Sequence, residues 1–421
     1  MEYVIVAAAA VTLVLLVKAN LDVVTARRVL PALLAAFAVR LIVHTLVLRA
    51  GLIDYGGDNL DYEALSMQIA NHWRIDGVSF ITSDDMALLR SVAVPCNVFA
   101  MIVYLCGGPA PLACTAVVAL LACALCVVVY RFARLVGADE RAAFRLLLLT
   151  AFMPAFLLHT SDTYKDGFNA FLVVSCVGIA TSLATGFKMS RLLWVAPLLW
   201  CLWYVRPYMV FMCAIPLLFG LTISRSNMSI RKLSAFSALL AVAVLFVGDV
   251  LGDTPLEQMQ HQLDGGQSEV VRRANAYGGS GVTFHDGGDP WSALGTKLVY
   301  TVLSPFPWTP GSLALQLGKI DVAIWYFLLF HAARGASRLW RHSRRALLVL
   351  LLFIVPGTIA YATTMANMGL IFRQRIPIVL ATSVLSAVAW SRIPRERSQV
   401  LASEAEDAAA SARIPLSRSS M

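Results

Sequence analysis

Residues 117–130, VVALLACALCVVVY, form an unbroken apolar run. A helix that spans a bilayer needs about 20 predominantly apolar residues, and similar runs recur along the whole sequence. The 421 residues are 59% hydrophobic and 14% charged, with a mean hydropathy of +0.73. We therefore predict an all-α polytopic membrane protein with about 11 transmembrane helices.

The same run contains Cys123 and Cys126 in the C-x-x-C spacing of some zinc and redox sites. All eight cysteines lie in or beside apolar segments, where cysteine packs as a small apolar residue. We interpret this pair as packing residues of a membrane helix, and a zinc or redox site is the alternative.

The loop charges predict the topology. The formal net charge is +9, but Lys and Arg concentrate in short connections, as in cytoplasmic loops, so the charge does not indicate nucleic-acid binding. Placing these connections in the cytoplasm puts the N-terminus outside and the C-terminus inside. The predicted crossings are 3–18, 28–49, 110–133, 142–160, 166–187, 191–205, 208–224, 233–251, 319–333, 346–364 and 376–391.

This topology requires residues 92–107, which contain Pro95 and Asn97, to form a helix at the outer interface rather than a full crossing. The first apolar segment has no basic residue before it, so we expect a retained helix and not a cleaved signal. Residues 1–395 then form the membrane domain, and 396–421 form a disordered cytoplasmic tail. The predicted external loops are 50–91, 159–167, 252–318 and 364–375.

The first external loop contains GGDNLDYEALSMQIANHW, residues 56–73, with carboxylates at Asp58, Asp61 and Glu63. The apolar spacing predicts a juxtamembrane helix over 59–73. Asp58 stands where an N-cap is expected. The acids are therefore either a cap and a solvated face or part of a site. The face expected to rest on the membrane comprises Tyr62, Leu65, Ile69 and Trp73.

Other ionisable residues interrupt apolar runs on the same predicted outer side. Ionisable groups at membrane level are functional candidates, and the planar fork of arginine suits phosphate oxygens. Interfacial anchoring is the alternative for each. The candidates are His159, Asp162, Lys165 and Asp166 in HTSDTYKDG, Arg206 and Tyr208 in WYVRPYMV, and Arg373 and Arg375 in NMGLIFRQRIPIV.

The order of these motifs resembles the GT-C superfamily of membrane glycosyltransferases, in particular bacterial polyprenyl-phosphate-sugar-dependent enzymes related to protein mannosyltransferases and aminoarabinose transferases. Asp58 and Tyr62 are similar to the family's D-x-x-x-Y motif in the first external loop. NVFAMIVYLCGG and VVYRFARLVGADERAAFRLLLLTAFMPAFLLHTSDTYKD follow in the family's order. The resemblance covers roughly residues 28–225. The adjacent "DE" pair, a large soluble C-terminal domain and a WWD-type signature are missing.

The resemblance implies a GT-C-like helical module that transfers a hexose or pentose from a polyprenyl-phosphate-linked donor to a glycan, lipid or protein acceptor at the bacterial cell membrane. It implies an acid in the first external loop, Asp58 or Asp61, as general base. A second acid, Asp162 or Asp166, positions the donor or a divalent metal. The residues expected to bind substrate or the lipid phosphate are Tyr62, His159, Lys165, Arg206, Tyr208, Arg373 and Arg375.

The sequence leaves open the role of one long loop and the class of function. The glycine-rich residues 252–297 are a lid over the substrate or a linker, and a metal at His285, Asp286 and Asp289 is the weaker hypothesis. The prolines of LSPFPWTPG predict a turn near Phe306 and Trp308. The rival functions are a repeat-unit polymerase or ligase and a lipid-linked sugar transporter or flippase.

Overall fold

The computed structural model describes residues 1–52, 57–186, 189–223, 291, 293–309, 313–364 and 373–392. Their regular structure is helical, and no strand occurs among these residues. A π-helical turn, His44–Leu48, extends the second helix. The α-helices are α1 (Glu2–Asn20), α2 (Val23–Val43), α3 (Asp58–Asp76), α4 (Ala93–Cys106), α5 (Pro111–Leu135), α6 (Glu140–Phe152), α7 (Pro154–Leu158), α8 (Asp166–Thr185), α9 (Met189–Leu192), α10 (Val195–Trp203), α11 (Pro207–Thr222), α12 (Leu294–Leu303), α13 (Leu313–His342), α14 (Arg344–Thr364) and α15 (Ile376–Trp390).

Five of the described helices are long and apolar enough to cross a membrane: α1, α2 with its π-helical turn, α5, α8 and α14. Shorter apolar helices include α4, α10, α11, α12 and α15. The chain is therefore a multi-pass helical membrane protein, and the number of eleven crossings stays a prediction. The predicted crossing 233–251 and the tail 396–421 lie outside the described residues.

Helices α5 and α8 form the centre of the bundle. Helices α1, α2 and α6 pack on α5, whereas α11 and α14 pack on α8. A Cβ atom added at Gly220 of α11 would meet the main-chain oxygen of Ala180, and one at Gly335 of α13 would meet the main chain at Leu385. Small residues at such contacts let membrane helices approach closely.

The predicted crossing 142–160 is wrong as a single helix. Helix α6 ends at Phe152 and α7 begins at Pro154, with Met153 in an extended conformation between them. Proline offers no N–H to the preceding turn and disfavours a helical conformation in the residue before it. The short α7 then leads into the turn at 159–165.

Helix α3 confirms the predicted helix over 59–73, but the expected cap at Asp58 is wrong. Gly57 occupies the N-cap position, and Asp58 is the first helical residue. The apolar face of α3 is buried against α4 rather than resting on the membrane. Trp73 packs edge-on against Tyr104, with 6.2 Å between ring centroids. Helix α4 is about 21 Å long, which is shorter than the hydrocarbon core.

The predicted turn after α12 is confirmed. The helix ends at Leu303, and residues 304–309 are not helical. Phe306 stacks on Trp308 with 5.1 Å between ring centroids, and Trp308 is exposed.

Candidate functional site

A cavity of about 260 Å³ lies where three helices begin. Helix α3 begins at Asp58, α8 directly after Lys165, and α11 directly after Arg206. Helix N-termini carry partial positive charge and favour anions. The structure thus brings together segments that the sequence placed on one side of the membrane. The lining residues are Asp58, Tyr62, Ser91, Lys165, Arg206, Pro207, Tyr208, Arg373 and Gln374.

Arg373 joins two acidic side chains beside this cavity. Its Nη1 donates to Asp58 Oδ2 at 2.6 Å, and its Nε donates to Asp166 Oδ2 at 2.9 Å. The guanidinium carbon also lies 5.2 Å from the centre of the Tyr164 ring. The side chain of Asp166 is 1% exposed, whereas that of Asp58 is 46% exposed. We call Asp58, Arg373 and Asp166 the Arg373 bridge.

A second arginine holds the buried end of this bridge. Arg206 Nη2 donates to Asp166 Oδ1 at 3.2 Å, and Arg206 Nη1 donates to the hydroxyl of Tyr208 at 3.0 Å. A buried carboxylate is costly unless it is paired and hydrogen-bonded. Asp166 meets this requirement through Arg206 and Arg373.

Lys165 adds a third cation to the cavity. Its Nζ donates to the main-chain oxygen of Ser91 at 3.2 Å and to the Ser91 hydroxyl at 3.4 Å. Lys165, Arg206 and Arg373 together exceed Asp58 and Asp166 by one positive charge. Burial lowers the pKa of Lys165 to about 8, and the positive charge of Arg206 is the second largest cause. At neutral pH the described side chains of the cavity therefore favour an anion.

Asp162 belongs to a different set, which we call the Arg49 bridge: Arg49, Glu63 and Asp162. Arg49 Nη2 donates to Asp162 Oδ1 at 2.7 Å and forms an ion pair with Glu63. Asn59 Nδ2 donates to Asp162 Oδ2 at 3.0 Å. Burial alone would raise the pKa of Asp162, but the hydrogen bond with His44 and the charge of Arg49 hold it below its usual range.

The structure distinguishes the two acids that the sequence left as alternatives. Asp166 is in contact with two arginines of the cavity. The side chain of Asp162 is fully buried, and its oxygens accept hydrogen bonds from Arg49 and Asn59 rather than from residues of the cavity.

Three other predicted site residues do not line the cavity. Asp61 is exposed on the first turn of α3. His159 is buried with its ring 6.0 Å from that of Tyr164, and burial lowers its pKa to about 4, so it is neutral at neutral pH. Arg375 Nη1 donates to the main-chain oxygen of Ser304 at 2.8 Å.

The described residues contain no group of three or more His, Cys, Asp or Glu side chains that could hold a metal ion. Cys123 and Cys126 are buried in α5 as free thiols. The candidate metal ligands His285, Asp286 and Asp289 lie outside the described residues, as does most of the predicted lid or linker at 252–297.

The sequence analysis missed Ser91, Gln374 and Arg49. Ser91 and Gln374 are uncharged residues in connecting segments and give no signal in the sequence. Arg49 had one, because it ends an apolar run on the predicted outer side. That is the same argument that selected Arg206, and it applied equally well to Arg49.

No family model matches the chain. No curated protein matches it either. Among solved structures, it is similar to the archaeal oligosaccharyltransferase AglB from Archaeoglobus fulgidus, in complex with an inhibitory peptide and a dolichol-phosphate. The similarity covers 92% of this chain and 52% of that chain, with 15% sequence identity and a TM-score of 0.45. The chain thus spans about half the length of that protein.

Proposed function

We propose that the protein transfers a sugar from a polyprenyl-phosphate-linked donor to a cell-envelope acceptor on the outer face of a bacterial membrane. One observation carries the proposal: the solvent-accessible carboxylate of Asp58 shares Arg373 with a buried acid, beside a cavity with excess positive charge. The resemblance of the motif order to GT-C enzymes supports the same reaction.

The donor phosphate binds among Lys165, Arg206 and Arg373. Arginine presents a planar set of N–H donors that matches phosphate oxygens, and lysine adds a mobile point charge. Arg373 already has two carboxylate partners, so an incoming phosphate competes with one of them. Asp58 is displaced because it is the exposed partner, and binding of the donor thereby frees a base.

The freed Asp58 accepts the proton of the acceptor hydroxyl as general base. The hydroxyl oxygen attacks the anomeric carbon from the face opposite the phosphate, so the configuration inverts. The bond between the anomeric carbon and the phosphate oxygen breaks, and its electron pair leaves with the polyprenyl phosphate. Arg206 and Arg373 stabilise the negative charge that develops on this leaving group.

The experiment measures release of radiolabelled sugar from polyprenyl phosphate by the purified protein in proteoliposomes that contain cell-envelope lipids. Asp58→Asn removes the base and is expected to lower kcat by about 100-fold or more. The donor KM is not expected to rise, since the amide competes less well for Arg373.

Asp61→Asn is the matched variant, because it changes a neighbouring acid of the same helical turn that does not line the cavity. We expect its rate to stay within about two-fold of wild type, as for most surface changes. Normal transfer by Asp58→Asn would overturn the assignment of the base. Uptake or flipping of the lipid-linked sugar without transfer would favour the transporter class.

A further inference from the structure

Two arginines connect helix α3 to residues 162–166. Arg373 connects Asp58 of α3 to Asp166, and Arg49 connects Glu63 of the same helix to Asp162. Within each segment the two acids are four or five residues apart. Helix α3 and residues 162–166 are therefore held side by side by two ion bridges.

The register of α3 divides these contacts between two neighbouring stripes of the helix. Residues four apart lie on one face of a helix. Asp58 and Tyr62 form the stripe that lines the cavity. Asn59 and Glu63 form the adjacent stripe, which contacts the segment that carries Asp162.

Residues 162–166 divide in the same way. The single O–H of Thr163 is shared between Glu63 Oε1, at 3.0 Å, and the main-chain oxygen of Asn59, at 3.2 Å. The main-chain N–H of Thr163 donates to Asp162 Oδ1 at 2.8 Å. Farther along the segment, Lys165 lines the cavity and Asp166 contacts the cavity residues Arg206 and Arg373. A displacement of Asp162 would therefore move Lys165 and Asp166 with it.

We propose that Arg49 is a positioning residue, which fixes α3 against residues 162–166 and thereby sets the distance that Arg373 bridges between Asp58 and Asp166. Arg49 does not line the cavity, so it acts through these residues. The inference rests on the proposed function only for what the cavity binds. The geometry that Arg49 imposes can be measured without any substrate.

Lys165 reports this geometry. The groups around its amine are the cations Arg206 and Arg373 and the carboxylates Asp58 and Asp166. If the segment moves away from α3, water reaches the amine. Burial is the largest cause of the lowered pKa of Lys165, so its loss raises that pKa.

The test is competitive acetylation of Lys165 between pH 7 and 11 in the full-length protein in detergent, quantified by mass spectrometry. The wild type should show an apparent pKa near 8, and Arg49→Gln should shift it toward the ordinary lysine value of 10.5. Arg74→Gln is the control, because Arg74 is an exposed arginine of α3 that donates to Asn71. It should leave the profile unchanged.

Glu63→Gln weakens only one arm of the Arg49 bridge and serves if Arg49→Gln does not fold. It should shift the profile in the same direction by a smaller amount. A folded Arg49→Gln protein, or in its absence a folded Glu63→Gln protein, with the wild-type profile would overturn the proposal. Loss of the proposed sugar transfer would leave this readout intact, so the two failures are distinguishable.

Discussion

The Arg49 bridge and the Arg373 bridge each consist of one arginine and two acidic residues, but their surroundings differ. Each places one arginine between an acid of α3 and an acid of residues 162–166. In the Arg49 bridge, Asp162 also accepts hydrogen bonds from Asn59 and from the main-chain N–H of Thr163. In the Arg373 bridge, Asp58 is 46% exposed at its side chain and lines the cavity.

This difference separates a stabilising role from a binding role. The acceptor oxygens of Asp162 are used within the protein, so nothing is gained when a ligand replaces a partner. Asp58 can exchange Arg373 for water at a lower cost than Asp162 could leave Arg49, because the Asp58 side chain is 46% exposed whereas that of Asp162 is fully buried. The Arg373 bridge can therefore release a base, whereas the Arg49 bridge keeps α3 and residues 162–166 in register.

The largest effect is expected when the Arg373 bridge loses its arginine. Arg373→Gln removes the excess positive charge of the cavity and leaves the buried Asp166 with Arg206 alone. Truncating a buried charge partner costs about 2–5 kcal/mol, so affinity for geranyl phosphate, a water-soluble isoprenoid monophosphate, should fall about 30- to 5,000-fold. Calorimetric titration measures this, with Arg74→Gln as the control. Wild-type affinity in Arg373→Gln would place the phosphate elsewhere.

A substitution in the Arg49 bridge should instead lower the stability of the protein. Asp162→Asn leaves Arg49 with Glu63 but removes a fully buried charge, and we expect a loss of about 3 kcal/mol in the free energy of unfolding. The midpoint of thermal unfolding in detergent should fall by several degrees. Asp58→Asn should leave this midpoint nearly unchanged. Equal losses for the two variants would mean that the bridges do not differ in the way described.

Lys165 should make phosphate binding depend on pH. Its pKa of about 8 means that the amine is charged below this pH and neutral above it, while geranyl phosphate stays a dianion above about pH 7. Affinity should therefore fall about ten-fold as the pH rises from 7 to 9.5. Lys165→Arg keeps its charge and should show no such fall. Parallel pH profiles for the two proteins would exclude Lys165 as the titrating group.

The sequence predicts the helical elements and most cavity residues for one physical reason. Charged side chains at the ends of apolar runs are costly in a membrane, so Lys165, Asp166, Arg206 and Arg373 stand out without any knowledge of the fold. The break at Pro154 was also readable from proline chemistry. It was missed because the apolar run continues across it.

The pairing of these residues could not be predicted from the sequence. The local pattern offered a helix cap as one of two roles for Asp58. Its carboxylate instead pairs with Arg373, 315 residues away in sequence, and Gly57 occupies the N-cap position. The choice between Asp162 and Asp166 depends on which way each residue of the turn faces. That direction is set by α3 and by Arg49, which are distant contacts that no local motif encodes.

The most direct test of the central claim is the affinity of Asp58→Asn for geranyl phosphate, measured by calorimetry beside wild type and Asp61→Asn. If the phosphate and the Asp58 carboxylate compete for Arg373, the neutral amide should tighten binding several-fold, and Asp61→Asn should bind as wild type does. Weaker binding by Asp58→Asn would contradict the account, because it would show that the carboxylate supports the phosphate site rather than yielding Arg373 to it.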